Sequence, residues 1–144
     1  MADQLPTIKL NANQRRHFEV LLSRLEESLT KIERLLDEQR ASQSLTRVDD
    51  DVPAEFRSGA RAELPRIRSQ LDALVASLEL QPRTVSLRRL IGATLTTEAV
   101  RVEDSFSTHL RGYGQLDPSI AEHVDPALER LAGSLQRMAA SLRR

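Results

Sequence analysis

A glutamate within an apolar helical stripe is the residue here that most invites chemistry. It lies in LIGATLTTEAV, residues 90–100, where Glu98 shares a helix face with Ile91, Leu95 and Val102. A bare carboxylate in a low-dielectric core costs several kcal/mol, so it must be neutralised, paired or ligated. Arg101, three residues on, is the local partner, and a structural ion pair is the reading the spacing favours. The alternative is a working carboxylate with a raised pKa and a cavity beside it. His109 falls on the same arc, about 16 Å further along a continuous helix, so a joint site would need other groups or a ligand between the two. A pocket beside Glu98, His109, Tyr113, Thr94 and Thr97 is the binding site these residues would build.

Other chemistries fail on spacing. Cysteine is absent, which removes disulfides, thiolate metal sites and cysteine nucleophiles together. A di-iron bundle needs Glu-x-x-His on two helices, but Gln14, Phe106 and Ile120 stand three before His17, His109 and His123. Three scattered histidines make no zinc set. Gly112-Tyr113-Gly114 follows a predicted helix, not a strand, and has Asp117 where a dinucleotide fingerprint needs glycine. His109-Leu110-Arg111-Gly112 resembles the histidine, basic residue and glycine of phosphate-relaying bundles. It departs from them by one residue in spacing and sits at a helix end. There is no Gly-x-Ser-x-Gly turn and no phosphate-cradling loop with lysine. No catalytic residue, metal or cofactor is therefore assigned, and an enzyme is the less favoured class.

The elements that must position these residues are read from periodicity. From Phe18 the apolar residues fall at 18, 22, 25, 29, 32 and 36, a heptad seam widened by Leu21 and Leu35. Asn11 and Gln14 form a capping-box pair, and the first helix is expected from Ala12 to Ala41. The loop SQSLTRVDDD follows, its acidic run Asp49 to Asp51 suited to a helix start. The second stripe is Phe56, Ala60, Leu64, Ile67, Leu71, Leu74 and Leu78. Pro65 lies opposite it, so one helix bent at residues 61–65 is expected, with the proline facing water. Thr84 is the expected N-cap of the third helix, which carries Leu87, Ile91, Leu95, Val102 and Phe106 and should stop at Gly112 or Gly114. Asp117-Pro118 starts the fourth, with Ile120, Val124, Leu128, Leu131, Leu135, Met138 and Leu142 on one face. Pro126 falls on the far side of that face, so the helix is either bent there or restarted at Asp125.

Four amphipathic segments of similar length predict an all-α fold, an antiparallel up-down four-helix bundle with helices 2 and 4 bent or broken at prolines. Residues 1–10 are expected as a loosely ordered tail, with Leu5, Ile8 and Leu10 able to pack, and 11–144 as a single helical-bundle domain. A chain of 144 residues is long enough for one core without staples.

Net charge is zero, from 21 basic and 21 acidic residues, and 19 of the basic residues are arginine. No basic stripe of the kind phosphate binding needs appears, so nucleic acid is not an expected partner. Neither is a membrane, for no stretch approaches the roughly 18 apolar residues of a span, and the absence of a leader pattern makes the expected location cytoplasmic. The functional expectation is a non-enzymatic helical protein acting through a protein partner or as a homo-oligomer. The alternative is a small-molecule or metal-binding sensor or carrier, with its pocket near the third helix.

Overall fold

The capping box at the start of the first helix forms as the sequence requires. Gln14 N–H donates to Asn11 Oδ1 at 2.8 Å, and Asn11 N–H donates to Gln14 Oε1 at 3.1 Å. The computed structural model describes residues 5–38 and 43–144. Within them the chain is helical, with no strand: α1 (Ala12–Leu36), α2 (Ala54–Ser77), α3 (Leu87–Glu103) and α4 (Asp125–Ser141). The expected end of the first helix at Ala41, and Met1 to Gln4 of the expected tail, lie outside the described residues. The described α1 closes at Leu36, with Asp37 as its C-cap. Contacts divide the chain into two compact units, Met1–Pro82 and Arg83–Arg144.

The first unit is an antiparallel pair of helices. Leu22 of α1 meets Leu71 of α2, together with Leu78 and Leu80 beyond it, and Leu10, Phe18 and Val75 pack against this cluster. Polar ties hold both ends. Arg15 Nη1 donates to Glu79 O at 2.8 Å, and Arg57 donates through Nη1 to Leu36 O, satisfying a carbonyl left open where α1 stops. Midway, Arg68 Nε donates to Glu33 Oε1 at 2.7 Å. The segment before α1 is tied to the far end of α2, where Ile8 N–H donates to Ser77 O at 2.8 Å and Ser77 Oγ donates to Pro6 O.

α2 runs unbroken through Pro65, which is exposed as its phase predicts. It starts directly after Pro53, but its capping differs from expectation. Pro53 is the N-cap and no side chain caps the helix, so the acidic run does not serve in that role. Asp50 instead takes both its carboxylate oxygens to Arg57 Nη2, at 2.8 and 2.7 Å. The end of α2 is a Schellman turn: Leu80 N–H reaches Val75 O at 3.0 Å, Glu79 N–H reaches Ala76 O at 3.2 Å, and Glu79 takes φ +51°.

The second unit pairs α3 and α4 antiparallel through small residues. Ala99 of α3 and Ala132 and Ala139 of α4 are its buried residues, and a Cβ on Gly92 would stand 3.9 Å from Leu142 Cδ1. Side chains of one or no carbon let the two backbones approach closely. The N-cap of α3 is Ser86, whose Oγ accepts from Arg89 N–H at 3.3 Å, and not the expected Thr84. The fourth helical region begins at Pro118, passes through a π-helical turn at Ile120–Val124 and continues as α4. Pro126 has no N–H and would crowd the carbonyl four residues back in an α-helix, and the wider turn sits just ahead of it. Pro126 is half-buried, contrary to its expected place facing water.

Candidate functional site

All five residues singled out from the sequence, Glu98, His109, Tyr113, Thr94 and Thr97, belong to the second unit, and the structure does not gather them into one pocket. Glu98 lies on α3 and pairs with Arg101, Nη1 to Oε1 at 2.8 Å. The side chains are 46% and 70% exposed respectively, so the carboxylate is partnered but not buried. Thr94 is exposed, and its hydroxyl is spent on the helix, donating to Leu90 O at 2.9 Å. Ala99, next to Glu98, takes the buried position instead.

The expectation of a helix reaching Gly112 is corrected here, and it moves two of the five residues. α3 stops at Glu103, and the chain continues as two short 3-10 turns, Ser107–His109 and Arg111–Tyr113. His109 and Tyr113 are therefore not in helical phase with Ile91 and Val102. Tyr113 is 86% exposed, and the turn after it closes on Gly114 at φ +119°. The early stop has a local and a distant cause. Glu103 and Asp104 put negative charge at the negative end of the helix. Ser107 is held from outside: its N–H and Oγ both donate to Asp125, at 2.9 and 2.5 Å. A cap for a restarted fourth helix is the role Asp125 has in one of the two readings of its sequence. α4 does begin at Asp125, but with Val124 in the N-cap position, and the Asp125 carboxylate caps the 3-10 turn after α3 instead.

His109 does line a cleft of about 610 Å³ between the end of α3 and the middle of α4, with Glu103, Asp104, Phe106, Glu129 and Gln136. Glu103 and Gln136 are bonded across it at 2.5 Å. Among the described residues no group of three or more His, Asp or Glu is placed to hold a metal ion. The carboxylate whose environment is most telling is Asp117, missed as a site residue. Hydrogen bonds from the Ser119 N–H, 2.9 Å, and then its hydroxyl, 2.8 Å, hold it below the usual carboxylate range. That arrangement is an Asx turn opening the fourth helical region, a structural role.

The feature with the larger surface is apolar. On α1, Leu22 and Leu29 are buried, whereas Leu21, Leu25, Ile32 and Leu35 are 49, 38, 41 and 54% exposed. Along the fourth helical region, Val124, Leu131 and Met138 are exposed at seven-residue intervals, while Ala132 and Ala139 are buried. Each helix thus spends one edge of its stripe on its own partner and presents the other. Comparison with protein-family models, curated proteins and solved structures finds no match.

Proposed function

We propose that this protein works by association, through a protein partner or a second copy of itself, and that the face of α1 is where it does so. The observation that carries the reading is the split seam: Leu21, Leu25, Ile32 and Leu35 take a and d spacing along α1 and remain open. A pair of helices is half of an up-down four-helix bundle, and a helical pair contributed by the partner would complete it. The low count of fully covered apolar side chains supports this, for among the described residues no large side chain is less than 2% exposed. Contiguous exposed apolar residues on a helix are the usual mark of an interaction site.

The test is a comparison of wild type with the double variant Leu25→Asp, Ile32→Asp, by light scattering across micromolar concentrations and by affinity capture on the immobilised proteins. Wild type is expected to show either a mass above the monomer or a specific captured protein, and the variant neither. Wild type and variant behaving identically in both measurements would refute the reading.

A further inference from the structure

The zero net charge conceals a segregation within the second unit. Residues 83–97 and 133–144 carry six arginines, Arg83, Arg88, Arg89, Arg137, Arg143 and Arg144, and no Asp or Glu. The stretch between them, 98–132, carries seven carboxylates and three arginines. The antiparallel pairing of α3 and α4 folds the two basic stretches against each other, with Arg88 Nη1 3.4 Å from Arg144 O. All six arginines are exposed, and none is in an ion pair among the described residues. Apolar side chains share this end: Val85, Leu87, Leu90 and Met138 are 60, 69, 53 and 57% exposed. Between the helices runs an open groove of about 720 Å³, floored by Gly92, Ala93, Ala139 and Leu142 and edged by Arg88, Arg89 and Arg143.

We propose that this arginine end docks on the surface of an anionic lipid bilayer, with its guanidinium groups on headgroup phosphates and Leu87 and Leu90 among the acyl chains. Two observations select that partner. The end is cationic with no interspersed Asp or Glu side chain, which suits a surface of laterally uniform negative charge; protein interfaces pair mixed signs in a pattern. Nucleic acid is also uniformly negative, but it offers no apolar phase for four exposed aliphatic side chains set among the arginines. A bilayer interface supplies both, and guanidinium groups match phosphate in bidentate geometry. No helix among the described residues is long and apolar enough to cross a membrane, so the mode is surface docking. The acidic stretch at the opposite end is repelled by the same surface, which orients the hairpin with its arginine end inward. This inference is independent of the α1 face.

The experiment is flotation of the full chain with vesicles of phosphatidylcholine alone or with 30% phosphatidylglycerol, at low and high salt. Binding is expected on the anionic vesicles only, and weakened by salt. Each arginine near such a surface is worth about fivefold in partitioning, so Arg88→Gln with Arg89→Gln should cost about 25-fold. Arg111→Gln with Arg130→Gln removes the same net charge from the other stretch and should leave binding within about twofold. Leu87→Ser with Leu90→Ser keeps every charge and should also weaken binding. Circular dichroism of each variant checks that helix content is retained. The proposal is overturned by absence of binding to anionic vesicles, by equal loss in the two arginine double variants, or by indifference to Leu87→Ser with Leu90→Ser. Tighter binding to a DNA duplex or to polyglutamate than to the vesicles overturns it as well.

Discussion

Glu98 and Glu79 show how differently two glutamates in this chain bear on stability. Glu98 sits where the apolar phase points inward, yet it turns aside to Arg101 and stays half in water, so an exposed pair of this kind contributes little. Glu79 is the costlier residue. At φ +51° an L side chain crowds its own backbone, and the position is the one that glycine ordinarily fills in a Schellman turn. The turn forms anyway because Leu80 is buried by it and Arg15 bonds the Glu79 carbonyl, a group that any residue supplies. Glu79→Gly should therefore keep every bond and stabilise the first unit by about 0.5–1 kcal/mol, read as a shift of the denaturant midpoint at unchanged slope. Asp125→Ala should do the reverse in the second unit. It strips the Ser107 N–H and hydroxyl of their acceptor at a cost of about 1–3 kcal/mol, and hydrogen exchange should rise across residues 105–114.

Among the elements, the helices held by local signals were legible in the sequence and those bounded by distant residues were not. Asn11 and Gln14 fix the start of α1 within four residues of chain, and the stripe of α2 keeps its phase across an exposed Pro65. The end of α3 depends on Asp125, eighteen residues further on, and no spacing rule reports that contact. The candidate site was legible to the same degree. The Glu98–Arg101 pair is a three-residue relation and forms, whereas the grouping with His109 and Tyr113 assumed a helix that stops at Glu103. Between α1 and α2 the Arg68 pair makes a pH-dependent link. A hydrogen bond from Arg68 holds Glu33 below the usual 4.5, so its contribution is complete above that value and is lost as pH falls through the lowered one. The stability of wild type should be level from pH 7 to about pH 5 at this link and decline below about pH 4.5, and Glu33→Gln should flatten that decline in thermal melts. Both partners are solvent-accessible, so the difference will be small and will shrink with added salt.

For the whole molecule the decisive quantity is how apolar surface is shared between folding and association. The first unit buries chiefly leucines and the second alanines, and both leave large aliphatic side chains exposed. Two-helix units of about 60 to 80 residues bury too little to be stable by a wide margin. If the open face of α1 is covered in the associated state, then association adds to the free energy of unfolding and makes it depend on protein concentration. A self-associating chain of this length should melt about 2 °C higher for each tenfold rise in concentration, from an unfolding entropy near 2 cal/mol/K per residue over both copies. Leu25→Asp with Ile32→Asp should abolish that dependence and lower the melting temperature to a single value at all concentrations. A wild-type melting temperature that is flat from 1 to 100 μM would remove a second copy as the occupant of the face.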